Sequence, residues 1–254
     1  MELNIHSPIE KFTSKVREIT LESGADLVGI VPATVIDSLP RTWIGWKYQE
    51  YTKKTTDIMA NANSVVVIGH HVWDDMLELA IMKEEKWVYP GYLPLEISTQ
   101  AVMKHLEKNG YKTAPAYGLP YKRLAQLAGF GNYGKNAMII NPIFGPWIRV
   151  ATVLTDAEML ADKPFENDLC GKCEECIKAC PTGALTPYKV DDQRCLVGIH
   201  LIDKERFEHV PEYRNHEPSL TKNSHLMCTE CQRTCPYGRE MHAFSYCQNR
   251  IRQS

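Results

Sequence analysis

Cysteine is missing from the first 169 residues of this 254-residue chain, and all nine cysteines lie between Cys170 and Cys247. No apolar run approaches bilayer length; SVVVIGHHV (64–72) is strand-sized and interrupted by histidines. The start, MELNIHSPIEKF, lacks the basic, apolar and small-residue regions of a secretion signal, and no Arg-Arg pair occurs anywhere. These absences lead to the expectation of a cytoplasmic, non-membrane protein. In that compartment thiols stay reduced, so disulfides are not expected. Charge of one sign is also lacking: 29 Lys and Arg against 31 Asp and Glu leave a net charge of −2. That balance offers no electrostatic footprint for nucleic acid. With 44% hydrophobic residues the chain can bury one large or two smaller cores. The confinement of cysteine, together with the polar, proline-containing stretch AEMLADKPFEND, places a boundary near residue 160, giving domains 1–160 and 161–254.

What is present in the second part is a dense thiol pattern. CGKCEECIKACPTGA (170–184) follows the spacing C-x2-C-x2-C-x3-C-P, which in bacterial ferredoxins holds cubane iron–sulfur clusters. Three cysteines on one tight loop can cap three corners of a cubane, and the fourth is carried onward to the other cluster. Pro181 stops helix continuation there. A looser copy, CTECQRTCPYG, returns at 228–238. The repeat predicts two [4Fe–4S] clusters, one on Cys170, Cys173, Cys176 and Cys235, the other on Cys180, Cys195, Cys228 and Cys231. Cys247 is left over as an ordinary thiol. Zinc is the rival, but two C-x2-C pairs round one ion leave the third cysteine of the triplet, both C-P endings and Cys195 without a role.

The first part reads as mixed α and β. Ser7, Pro8 and Glu10 form a capping box ahead of Ile9, Phe12, Val16 and Ile19 at helical spacing, with Gly24 as the stop. DLVGIVP (26–32) and SVVVIGHHV predict strands, 98–110 a helix, 111–117 an extended segment and 121–131 a second helix. AMIINPIFGPWIRVATVLTD (137–156) predicts two strands around an Asn-Pro…Gly-Pro turn. The glycine-rich GFGNYGKN follows a predicted helix rather than a strand, which excludes a Rossmann loop. Asn136 stands where a P-loop needs Ser or Thr. The glycines either admit a large flat ligand or make tight turns.

AGFGNYGKNAMIINPIFGPWIRVATVLTD followed by CGKCEECIKACPTGAL resembles the junction in epoxyqueuosine reductases and reductive dehalogenases. GADLVGIVPA and ANSVVVIGHHV are similar to strands of the former. The resemblance implies an α+β fold, a nitroreductase-like cobalamin-binding domain followed by a bacterial-ferredoxin-like two-cluster domain. It implies an oxidoreductase in which a low-potential donor of ferredoxin or flavodoxin type feeds the clusters and they feed a corrinoid. FMN is the alternative cofactor. The substrate would be a small organic molecule or a modified nucleoside; nucleic acid enters only as modified tRNA. A non-catalytic protein activating a partner corrinoid protein is the alternative function.

By position, the resemblance puts Gly129, Gly131, Tyr133, Gly134, Lys135, Asn141, Gly69, His70 and His71 at the corrinoid. Epoxyqueuosine reductases carry an aspartate proton donor before the glycine loop, yet no Asp occurs here between Asp75 and Asp156. Dehalogenases use a tyrosine supported by a basic residue. Tyr117, Tyr121 and Tyr133, with Lys122, Arg123 and Lys135, are therefore the catalytic candidates, with Tyr117, Tyr121 and Lys135 foremost. His70 and His71 have a bland alternative as core histidines, as do the tyrosines as packing aromatics. His200, His209, His216, His225 and His242 are expected at the surface or behind the ligands. Trp43, Trp46 and Tyr48 are expected in the core or as a lid.

Overall fold

The computed structural model describes residues 7–45, 48–197 and 219–240; Trp46, His200, His209, His216, His242 and Cys247 lie outside them. Helix α1 (Pro8–Glu22) begins on the expected capping box: Glu10 N donates to Ser7 Oγ at 3.3 Å and Ser7 N donates to Glu10 Oε2 at 2.6 Å. Strand β1 (Leu27–Pro32) follows, then β2 (Ser64–His71). The hairpin strands β3 (Leu79–Lys83) and β4 (Lys86–Val88) lead into α2 (Leu93–Lys108). Helix α2 starts five residues earlier than expected, because Pro94 occupies its first turn, where a missing N–H costs nothing. Strand β5 (Thr113–Pro115) and helix α3 (Tyr121–Leu127) complete the approach to the glycine loop. Helix α3 is shorter than expected: Gly129 adopts φ +80°, so 128–131 turn rather than continue the helix.

The segment 137–156 does form two strands, but they do not pair with each other. Strand β7 (Ile139–Ile140) pairs with β6 (Asn132–Tyr133), while β8 (Ile148–Thr155) pairs with β2 along its full length. The central sheet runs β1–β2–β8–β5, every pairing antiparallel. Val65, Val66, Val67 and Ile68 of β2 are all 0% exposed. Their alternation explains this: Val65 and Val67 pack with Leu124 and Phe130 on one face. On the other face Val66 and Ile68 pack with Val16, Val102 and Leu106. Burying one such side chain contributes about 1.5–3 kcal/mol. Helices therefore cover both faces, and the continuous apolar run of β2 is its signature.

Contacts tie the cysteine-rich part to this core. Asp162 Oδ2 accepts from Ile30 N and from Arg17 Nη2, each at 2.7 Å, and Leu160 N donates to Thr13 Oγ1 at 3.0 Å. The polar stretch near 160 is thus strapped along α1 and β1. Strands β9 (Ser219–Thr221) and β10 (Ser224–Leu226) join the hairpin in a second sheet ordered β9–β10–β3–β4. Arg233 ion-pairs with Asp75, and Arg149 with the buried Glu78. Trp43 and Tyr48 are not core: they are 49% and 56% exposed, and Trp43 sits edge-on to Tyr51 at 5.1 Å. Among the described residues no helix is long and apolar enough to cross a membrane.

Two outcomes follow from this packing. A Cβ on Gly131 would lie 2.1 Å from Ile140 O, a backbone atom with little room to yield. Gly131→Ala is expected to cost about 1–3 kcal/mol, read as a lower denaturation midpoint under anaerobic conditions. An unchanged midpoint would show that the loop relaxes freely. Buried His70 bonds through Nε2 to Ser98 Oγ at 2.9 Å, and burial lowers its pKa from the ordinary value. Protonation therefore opposes folding, so the stability held above about pH 6.5 is lost as pH falls. Denaturant midpoints between pH 7.5 and 5.5 should fall less steeply in His70→Gln than in the unsubstituted protein; equal slopes would remove His70 as the cause.

Candidate metal centre

The first thiol loop is built by backbone turns before any metal is considered. Asp168 accepts from Cys170 N at 2.9 Å and from Gly171 N at 3.2 Å, and Cys173 N donates to Cys170 O at 2.8 Å. Helix α4 (Glu175–Ala179) then carries Cys176. Cys170, Cys173, Cys176 and Cys235 wall one cavity together with Lys135, Asn136 and Ile140. The second group is anchored separately. Thr182 Oγ1 donates to Arg194 O at 2.7 Å, and Arg194 Nε returns a bond to Thr182 O at 2.7 Å, which holds Cys180 and Cys195 together. Helix α5 (Glu230–Arg233) carries Cys231, and its Arg233 is fastened to Asp75.

Electrostatics sorts the sulfurs the same way. Burial pushes the Cys235 thiol up to about 12, helped by Cys170, Cys176 and Cys173. Burial pushes Cys195 up to about 11, helped by Cys228 and Cys180. Cys231 is raised further, by burial and then by Cys195, Cys228 and Cys180, with Cys176 its neighbour from the other group. Two groups of four thiols therefore stand side by side. Among the described residues no three His, Cys, Asp or Glu side chains converge on a single-ion position. Sulfurs spread round a cavity suit a cubane, whose corners each take one thiolate. Backbone N–H donors face sulfur, among them Lys135 N to Cys170 Sγ at 3.4 Å and Ala184 N to Cys180 Sγ at 3.2 Å.

The glycine loop is the platform for these sulfurs. Asn132 Oδ1 accepts from Leu169 N at 3.2 Å, next to Cys170. Asn141 is spent on a turn: Nδ2 donates to Phe130 O at 2.6 Å, while Oδ1 accepts from Ile143 N and Phe144 N at 2.8 and 2.9 Å. That turn meets the end of the second motif so closely that a Cβ on Gly145 would sit 2.1 Å from Tyr237 O. The chain itself fills the space beside Gly131 and Gly134, so their missing side chains are accounted for by packing against Ile140.

The remaining candidates scatter. Gly69 packs between Leu27 and Phe130, His70 points at Ser98, and His71 stacks on Phe144 at 4.7 Å. His225, expected at the surface or behind the ligands, is buried on β10. Tyr117 is 71% exposed. Tyr121 Oη donates to Ala116 O at 3.2 Å, and burial pushes its pKa up to about 12. Burial also raises Tyr133, with Arg123 nearby acting the other way. Lys135 is 8% exposed. Lys122, a candidate from sequence, lies beside the second thiols together with Arg149, which the sequence did not single out. Burial lowers the Lys122 pKa, while Cys195 and Cys231 favour its charge and Arg149 opposes it. Arg149 in turn pairs with Glu78 and Tyr92. Its sequence signal is faint: a single cation inside the apolar strand IRVATVLT.

Residues 169–238 match the 4Fe-4S double cluster binding domain family. An epoxyqueuosine reductase of Synechococcus sp. (strain RCC307) is 39% identical over 118 residues, covering 46% of this chain and 34% of that protein. One from Leadbetterella byssophila is 28% identical over 250 residues, covering 89% and 80%. An epoxyqueuosine reductase solved with an epoxyqueuosine-modified tRNA stem loop superposes with a TM-score of 0.67 at 21% identity, over 92% of this chain and 68% of that one. A catabolic reductive dehalogenase, NpRdhA, solved with 3-bromo-4-hydroxybenzoic acid, superposes with a TM-score of 0.61 at 17% identity, over 96% and 34%. The chain thus spans as little as a third of some proteins it matches, and both solved likenesses speak to fold alone. The chain is similar in sequence to epoxyqueuosine reductases along most of its length, carries the double cluster binding region, and shares its fold with an epoxyqueuosine reductase and a reductive dehalogenase.

Proposed function

We propose that this protein is an iron–sulfur reductase whose two [4Fe–4S] clusters are held by Cys170, Cys173, Cys176 and Cys235, and by Cys180, Cys195, Cys228 and Cys231. Its N-terminal domain, residues 1–160, would bind a corrinoid that reduces a small organic or modified-nucleoside substrate. The observation that carries this reading is the pair of four-thiol groups packed side by side against the glycine loop. Clusters bound there supply single electrons at low potential, and a corrinoid supplies a strongly reducing cobalt centre.

The chain's own residues supply charge and protons. Lys122 and Arg149 lie on the side of the second thiol group, where cations favour a reduced, more negative site. Tyr121 keeps its proton throughout the physiological range, but a pKa near 12 makes it a reluctant acid. A substrate arriving there needs a cation close by, and Lys122 is its sequence neighbour. Tyr117, open to solvent, is the freer hydroxyl. With no aspartate between Asp75 and Asp156, these tyrosines are the candidate proton donors. The same lack of an aspartate favours a second reading, in which the protein delivers electrons from a ferredoxin- or flavodoxin-type donor to the corrinoid of a partner.

Two measurements test this. Anaerobically reconstituted protein should bind about eight irons per chain, as two four-iron clusters require, and about one cobalamin. Iron without cobalamin uptake, together with reduction of a partner's corrinoid, would favour the second reading; a yellow released cofactor would replace cobalamin with FMN. Cys235→Ser should remove the cluster of the first group while sparing the second, leaving about four irons. Retention of full iron would break the assignment of ligands.

A further inference from the structure

Lys135 and Asn136 stand between the two thiol groups and touch both. The Lys135 amide donates to Cys170 Sγ at 3.4 Å, and the Lys135 carbonyl accepts from Tyr188 N at 3.3 Å. One residue on, Asn136 is 5% exposed and lines the cavity of the first group. Its Nδ2 nevertheless donates to the carbonyl of Cys231, in the second group, at 3.4 Å. Oδ1 is held from behind by Met138 N at 3.1 Å. A Cβ on Gly134 would come within 3.0 Å of that oxygen, so the glycine leaves room for it.

The bond to Met138 needs only an acceptor, which an aspartate would supply equally well. The donor facing Cys231 and the lack of charge are not required by the turn. They suit a position beside two anionic clusters, each of which gains a further negative charge when it takes an electron. We propose that Asn136 is a positioning residue that sets the spacing of the two clusters and keeps negative charge out of the gap between them. This rests on the ligand assignment proposed above. Aspartate at 136 would turn an oxygen toward the Cys231 carbonyl and place a carboxylate beside both clusters, opposing their reduction.

The test is an anaerobic potentiometric titration followed by electron paramagnetic resonance, with iron counted in every sample. Asn136→Asp should retain both clusters but lower both midpoints. At the original midpoints the reduced-to-oxidised ratio should fall about tenfold, which is about 59 mV for a one-electron couple. Asn136→Ala should change the magnetic broadening that two reduced clusters impose on each other. Full iron in Asn136→Asp with both midpoints unmoved would overturn the inference. If that variant holds no iron, the Asn136→Ala spectrum decides, and unchanged broadening overturns it. Failure of the unsubstituted protein to take up iron defeats the ligand assignment itself.

Discussion

Eight thiols gathered into two adjacent groups are the constraint round which the C-terminal third is organised. Burial makes the thiolates of Cys195, Cys231 and Cys235 costly, and neighbouring thiolates make them costlier, so these three resist ionisation. A bound metal reverses this preference, because it takes the thiolate and not the thiol. Binding free energy then becomes folding free energy for a region with little core of its own. Pro236, the turn at Asp168 and the Thr182–Arg194 pair set the loops in place, but they do not remove the cost of crowding sulfur.

That poverty of core explains the entanglement of the two parts. Helices α4 and α5 are five and four residues long, too short to stand alone in water. They borrow rigidity from the glycine loop, from the Asn141 turn and from the Arg233–Asp75 pair. Support from an already packed sheet, covered on both faces, makes the sulfur positions precise without a large second core. The loop's small residues serve this close approach of backbones.

Local signals were legible and distant ones were not. The α1 capping box and the two-faced burial of β2 both follow from spacing within one segment. The early start of α2 could have been read from Pro94. In contrast, the glycine loop's purpose depends on Ile140, and that of Gly145 on Tyr237, which only the folded chain brings near. Strand β7 was visible, but its pairing with β6 was not, and β8 lies instead beside β2 in the central sheet. Arg149 and Glu78 carry no short-range pattern, since their pairing joins β8 to the turn that precedes β3. Asn136 drew notice only as the wrong residue for a P-loop.

The second sheet imposes an order on biogenesis. Strand β3 emerges from the ribosome well before β10, its neighbour in the finished sheet; at ordinary elongation rates the delay is on the order of ten seconds. Until then the nascent hairpin presents a bare edge, and the segment just after β10 is the one that carries Cys228 and Cys231. Cells short of iron would therefore accumulate chains with an open β edge, the kind of surface that recruits chaperones or seeds inclusion bodies.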